Sequence, residues 1–125
     1  MSSREINTHK TNECNEAITI TADEPDAKYG NASHEYTLSF FDKAGGHVEH
    51  GIDFQRGPIK EVGVNGLTNE ALLAVLIDRM TGFQSGEFAC DENREVLVNL
   101  LNAARWMQDR TLARMRRGVE GTNVV

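Results

Sequence analysis

Hydrophobic and polar positions along the chain change their period three times, and each change marks an element boundary. Residues 1–16 are polar and show no period, so they are expected to form a mobile leader. At Ala17-Ile18-Thr19-Ile20-Thr21 the residues alternate with β-branched apolar side chains on one face, the signature of a short strand. Glu24-Pro25-Asp26 and Gly30-Asn31 are turn chemistry. Tyr36-Thr37-Leu38-Ser39-Phe40 alternates again, Lys43-Ala44-Gly45-Gly46 reads as a hairpin turn, and His47 to Gln55 is the third strand. Gly57-Pro58 breaks it, and Ile59 to Val64 is expected to add one more short strand. Seven of the eleven glycines fall between residues 30 and 66, as tight turns in a small antiparallel sheet require.

The period lengthens at Leu67. Thr68 or Asn69 caps a helix in which Leu72, Leu73, Leu76, Ile77 and Met80 recur at helical spacing, and Gly82 is expected to stop it. Residues 83–90 form a loop with two aromatic side chains. Asp91 is expected to cap a second helix whose stripe runs from Leu97 through Leu100, Leu101, Ala104, Met107 and Leu112 to Met115. The first helix, over about 69–81, spans roughly 20 Å, and the second, over about 92–117, roughly 39 Å. They cannot cover each other, so the sheet or another subunit must bury the overhang. The expected fold class is α+β: a small N-terminal antiparallel sheet over 17–66, then a helical hairpin over 67–118 with a long second helix, and a tail over 119–125.

Charge changes the picture at the C-terminal end. Of the net −6, residues 1–102 carry 8 basic and 17 acidic groups, and residues 103–125 carry five arginines against Asp109 and Glu120. An acidic body argues against wrapping nucleic acid, which depends on phosphate neutralisation. A local arginine cluster on such a body suits a small anion. Arg110, Arg114 and Arg117 stand at i, i+4 and i+7, along one helical face. They read either as a phosphate-binding stripe or as a solvated basic face that complements the helix dipole.

Other candidates are fewer. Phe83 and Phe88 flank the loop, either as base-stacking residues or as plugs at the open end of the hairpin. Asn93 reads as a hydrogen-bonding partner for a base or ribose, or as an exposed helix residue. His47 and His50 point to opposite faces of one strand, which is wrong for a shared metal. There is no Walker loop, nucleophile elbow or dinucleotide fingerprint, and no nucleophile beside a base. A binding protein without cofactor or metal is expected, not an enzyme. No apolar run approaches the ~20 residues of a membrane span, and no signal-peptide core follows Met1. Cys14 and Cys90 are expected to be free thiols in a reducing compartment.

Three segments are distinctive together: Asn65-Gly66-Leu67-Thr68-Asn69-Glu70-Ala71-Leu72-Leu73; Gly82-Phe83-Gln84 with Gly86, Phe88-Ala89-Cys90 and Glu92-Asn93; and Arg110-Thr111, Arg114 and Arg117-Gly118-Val119-Glu120-Gly121-Thr122. Over roughly 65–122 the chain resembles the phage helical-hairpin proteins shared by anti-Thoeris and anti-CBASS systems. With its β region, carried by Phe54-Gln55 and Gly57-Pro58-Ile59, it is most similar to the first anti-Thoeris sponge type. The resemblance implies binding of glyco-cyclic ADP-ribose without degradation, in the cytoplasm of an infected bacterium, and capture of cyclic trinucleotides at a separate site. It also implies assembly as dimers, or hexamers built from dimers, with pockets between subunits. Carried over residue by residue, Phe83 would stack on the base or ribose and Asn93 would hydrogen-bond the ligand. Arg110 and Arg114 would grip the pyrophosphate with Arg117 close by, Arg56 would serve a second anionic site, and residues 118–122 would close over a pocket. The readings from other classes are a nucleic-acid-binding phage regulatory protein using the arginine face, and an oligomeric scaffold with the arginines at a subunit contact.

Overall fold

The computed structural model describes residues 3–125, which divide into two compact units. One holds the chain up to Gly57 together with Val64–Gly66. The other holds Pro58–Gly63 and Leu67–Val125.

The first unit is a four-stranded antiparallel meander: β1 (Arg4–Ile6), β2 (Thr19–Ala22), β3 (Glu35–Phe41) and β4 (His47–Asp53), in that spatial order. The register sorts the side chains cleanly. Ile6, Ile20, Leu38 and His50 stand in one row, and Arg4, Ala22, Tyr36 and Ile52 in the next but one, on the same face. Glu5, Thr21, Thr37 and Gly51 lie on the opposite, polar face. In the β3–β4 turn the Asp42 carboxylate accepts the backbone N–H groups of Ala44 and Gly46, at 3.0 and 2.7 Å. Of the segment 1–16, expected as a mobile leader, residues 1 and 2 lie outside the described residues, and the rest holds the edge strand β1 and a one-turn helix, α1 (Glu13–Glu16). Asn12 caps α1, and the His9 ring meets the carbonyl of Ile18 at 2.7 Å. Pairing to β2, not an apolar pattern, is what makes Arg4–Ile6 a strand.

One network closes this unit. The Asp23 carboxylate accepts the His34 backbone N–H at 3.0 Å and the Arg56 guanidinium at 2.9 Å. The Ser33 hydroxyl donates to the Asp23 carbonyl and accepts from Arg4. Burial pushes the Asp23 carboxyl up, but the backbone hydrogen bonds at His34 and Glu35 and the charge and hydrogen bond of Arg56 outweigh it and hold the group below its ordinary range. Gly66 closes against Phe54, where a Cβ would lie 2.4 Å from a backbone carbon, so only glycine fits.

In the second unit, Ile59–Val62 is a one-turn helix, α2, and not the expected strand. Pro58 presets the backbone for a helix start, its carbonyl accepts from Glu61 and Val62, and Gly63 ends the turn. The Lys60 N–H is taken by the Gly121 carbonyl of the C-terminal tail, so no strand partner is needed. Helix α3 (Asn69–Gln84) has 16 residues, about 24 Å. Thr68 caps it by accepting from Ala71 at 3.0 Å. It runs through Gly82, because an interior glycine costs a helix only about 1 kcal/mol and does not end it. Helix α4 (Asp91–Arg117) has 27 residues, about 40 Å. Its cap is the Cys90 sulfur, which accepts from Asn93, and not Asp91.

Residues 93, 97, 100, 104, 107, 111 and 114 of α4 are partly or fully buried and are spaced alternately four and three apart, with Ala113 half-buried beside them. That seam is the less exposed side of α4, and α4 packs on α3. Val98, Leu101, Leu112 and Met115, on a neighbouring face, are exposed. Among the described residues the buried apolar side chains are those of Ala22 and Pro58. A compact chain of this mass exposes about 6,700 Å², and two separate compact bodies of half the mass about 8,000 Å². This chain exposes 9191 Å².

Candidate functional site

The expected site residues fall into three places. Arg56 lies in the sheet unit, where its guanidinium meets Asp23 at 2.9 Å and Asp26 at 3.5 Å. Its backbone N–H and carbonyl are both held by the Asn65 side chain. Two carboxylates on one guanidinium leave a local negative excess, which is poor chemistry for an anion site. Arg56 is better explained as the strut that joins Asp23, Asp26 and the 64–66 segment.

The second place is the loop end of the hairpin. Phe83 and Phe88 meet edge to face, with ring centroids 6.1 Å apart. Phe83 is half-buried and Phe88 is 66% exposed, so the pair is a plug with one open side. Arg79, one helical turn before Phe83, places its guanidinium 5.0 Å from the ring centroid. The i, i+4 spacing of Arg79 and Phe83 carried that signal, and the sequence reading missed it. The Asn93 side chain donates to the Phe88 carbonyl at 3.1 Å. The Cys90 N–H donates to the Gln84 side chain at 3.0 Å. These bonds fix the loop and hold Phe88 near Phe83, leaving Asn93 the second amide hydrogen and its oxygen for other partners.

The third place is the C-terminal end of α4. The three arginines expected on one face are separated there. Arg114 turns inward and is 7% exposed. Its Nε donates to Glu120 at 3.3 Å, and its Nη2 to the carbonyls of Val119 and Thr122 at 2.9 and 3.1 Å. Its Nη1 donates to the carbonyl of Val124. Residues 118–124 thereby wrap the guanidinium as a strap. Gly121, at φ 81°, presses that strap on α2, where a Cβ would lie 3.0 Å from Ile59. Arg117 stays exposed and bonds the Val125 carbonyl at 2.8 Å. Arg110 is exposed, with no side-chain hydrogen bond or ion pair to any described residue.

The basic last turn of α4, with Arg114, Arg116 and Arg117, complements the helix dipole, as Asp91 and Glu92 do at its start. Arg110 lies a turn earlier, beyond the reach of that effect. A shallow groove of about 490 Å³, lined by Glu70, Leu101, Ala104, Arg105, Gln108 and Thr111, runs alongside. The sequence reading did not single out Arg105.

Asn93 and Arg110 are about 25 Å apart along α4 at 1.5 Å per residue. A pocket of 300–1,000 Å³ accepts a ligand only roughly 10 Å across. A single chain therefore does not bring Phe83 and Asn93 to the same small ligand as Arg110. His47 and His50 lie on opposite sheet faces as expected, each beside a phenylalanine ring. No helix among the described residues is long and apolar enough to cross a membrane.

Over 95 residues the chain is 40% identical to Thoeris anti-defense 1 of Bacillus phage SBSphiJ7. The match covers 76% of this chain and 66% of that protein, just under two thirds of its length. No family model matches the chain.

Proposed function

We propose, from the premise that the chain belongs to the Thoeris anti-defense 1 family, that it is a phage anti-defence sponge. It binds glyco-cyclic ADP-ribose and sequesters it without degradation in the cytoplasm of the infected bacterium, so that the Thoeris effector lacks its activator. The observation that carries this reading is the exposed Arg110 guanidinium, which meets no described partner, on a chain whose residues 1–102 carry a strong acidic excess. Guanidinium forks match phosphate oxygens in pairs, and they stay protonated, so they grip a pyrophosphate without acting as bases. Each such bond contributes about 1.5–3 kcal/mol net. Several of them with one stacked base reach the nanomolar range, about −12 kcal/mol. No acid or base catalyst is required, and the protein is not an enzyme on this reading.

The ~25 Å between Asn93 and Arg110 requires that two copies supply one pocket, with Phe83 and Asn93 from one and Arg110 from the other. A dimer, or a hexamer built from three dimers, also accounts for the uncovered apolar faces. Cyclic trinucleotides are a second ligand class for the same assembly, and the engaged Arg56 gives no support to a site for them there.

Calorimetric titration with glyco-cyclic ADP-ribose, followed by heat release and chromatography of the ligand, tests the reading. Tight binding with intact ligand recovered is the expected result. Linearised ADP-ribose in the released fraction would make the protein an enzyme. Steeply salt-dependent binding of duplex DNA in place of the nucleotide would favour a nucleic-acid-binding regulator.

A further inference from the structure

The buried Arg114 has an unusual set of partners for a residue on an arginine-rich helix end. Four donor contacts use most of the five N–H groups a guanidinium owns, and all four go to one short segment, Val119 to Val124. Only one of those partners is charged. Glu120 offers a single carboxylate oxygen to Nε at 3.3 Å, while the same oxygen also accepts the Gly121 N–H at 3.2 Å. The Nε–Nη2 edge, the side of the fork that a phosphate meets with two oxygens, is thus filled by one shared carboxylate oxygen and two neutral carbonyls. A phosphate would make the better-matched, bidentate contact on that edge. It would have to remove Glu120 to do so, because two anions on one guanidinium repel.

We propose that Glu120 is an internal stand-in for the ligand's phosphate: it occupies Arg114 until an anion displaces it, and the 118–124 strap leaves with it. This rests on the sponge reading above. The strap is built to move as a unit. Its internal bonds, from the Thr122 hydroxyl to the Val119 carbonyl and from the Val124 N–H to the Thr122 hydroxyl, do not involve the rest of the fold. Its ties to other elements are the Arg114 side chain, the Lys60 N–H to the Gly121 carbonyl, and, at its hinge end, the Gly118 and Val119 N–H groups to the last carbonyls of α4, with Arg117 holding Val125 just beyond it. The exchange makes Glu120 a selector: a neutral nucleoside cannot displace it, and a pyrophosphate can.

The test compares the full chain with its Glu120→Gln and Glu49→Gln variants, each titrated with glyco-cyclic ADP-ribose, with amide exchange measured before and after ligand addition. Glutamine keeps an oxygen for the Gly121 N–H and Arg114, so the strap still forms. Glu49 lies on the sheet and controls for loss of one negative charge. Expected are affinity about fivefold higher in Glu120→Gln, no change in Glu49→Gln, and faster exchange of the Gly121 amide when ligand binds the unaltered chain. Unchanged or weaker binding by Glu120→Gln, an equal gain in Glu49→Gln, or ligand-independent exchange at Gly121 would overturn the inference and leave the sponge reading standing. Failure of the unaltered chain to bind the nucleotide at all would remove both.

Discussion

Individual arginines in this chain do different work despite one chemistry, and their partners tell them apart. Arg56 is neutralised by Asp23 and Asp26, Arg114 is wrapped by the strap, and Arg110 meets no described partner. Replacing Arg110 by Ala is therefore expected to weaken nucleotide capture by about ten- to a hundredfold, the worth of one or two charge-assisted bonds, with the melting temperature unchanged. Arg56→Ala is expected to do the reverse: unchanged affinity, and a stability loss of about 1–2 kcal/mol, because Asp23 loses its charged partner. Calorimetry and thermal melting of the two variants check this. Asp23 carries its own pH signature. Its carboxyl is held below the ordinary range by backbone hydrogen bonds and Arg56 against the opposing effect of burial. The stability it adds is thus fully present above the unfolded carboxylate value near 4 and is lost as pH falls through the lower folded value. Asp23→Asn removes that term. The gap in denaturant stability between the two proteins is expected to be widest at neutral pH and to narrow below about pH 4.

Helix ends decide where the hairpin begins and turns. Thr68 offers an ordinary hydroxyl cap to Ala71, whereas Cys90 offers a sulfur to Asn93 at 3.4 Å. Sulfur is a weak acceptor. Thr68→Ala is expected to lose about 1 kcal/mol and Cys90→Ser to gain a few tenths to about 1 kcal/mol, both read from chemical denaturation. A destabilised Cys90→Ser would mean that the thiol packs rather than caps. Elements of this kind were legible in the sequence when an apolar period marked them: β2, β3, β4, α3 and α4 all follow alternation or helical spacing. Arg4–Ile6 was not, because a three-residue edge strand with one apolar side chain has no period and exists through its pairing to β2. Ile59–Val62 misled because β-branched residues suggest a strand, while the deciding features were Pro58 before it and a distant carbonyl at Gly121. The arginine spacing at 110, 114 and 117 was legible too, but not the inward turn of Arg114. Three of its four partner groups are backbone carbonyls, which leave no mark on residue type.

At the scale of the whole molecule, the deciding quantity is surface. An exposure of 9191 Å² exceeds even the ~8,000 Å² of two independent compact bodies, and among the described residues the buried apolar side chains are only the small ones of Ala22 and Pro58. With a little over half of ordinary surface apolar, at about 25 cal/mol per Å² an uncovered excess above 1,000 Å² is worth about 15 kcal/mol before the cost of association is subtracted. The proposed assembly would give this chain a core, and the same assembly would bring the aromatic end of one hairpin to the arginine end of another. Stability and ligand capture should then fall together on dilution. The melting temperature is expected to rise with protein concentration. Leu101→Glu, which places a charge on the exposed apolar face of α4, is expected to shift the mass in light scattering towards the monomer and to abolish nucleotide binding while Arg110 remains in place. A monomeric Leu101→Glu variant that still captures the ligand at full affinity would mean that one chain completes the pocket. The ~25 Å between Asn93 and Arg110 would then have to be closed by leaving one of them out of the site.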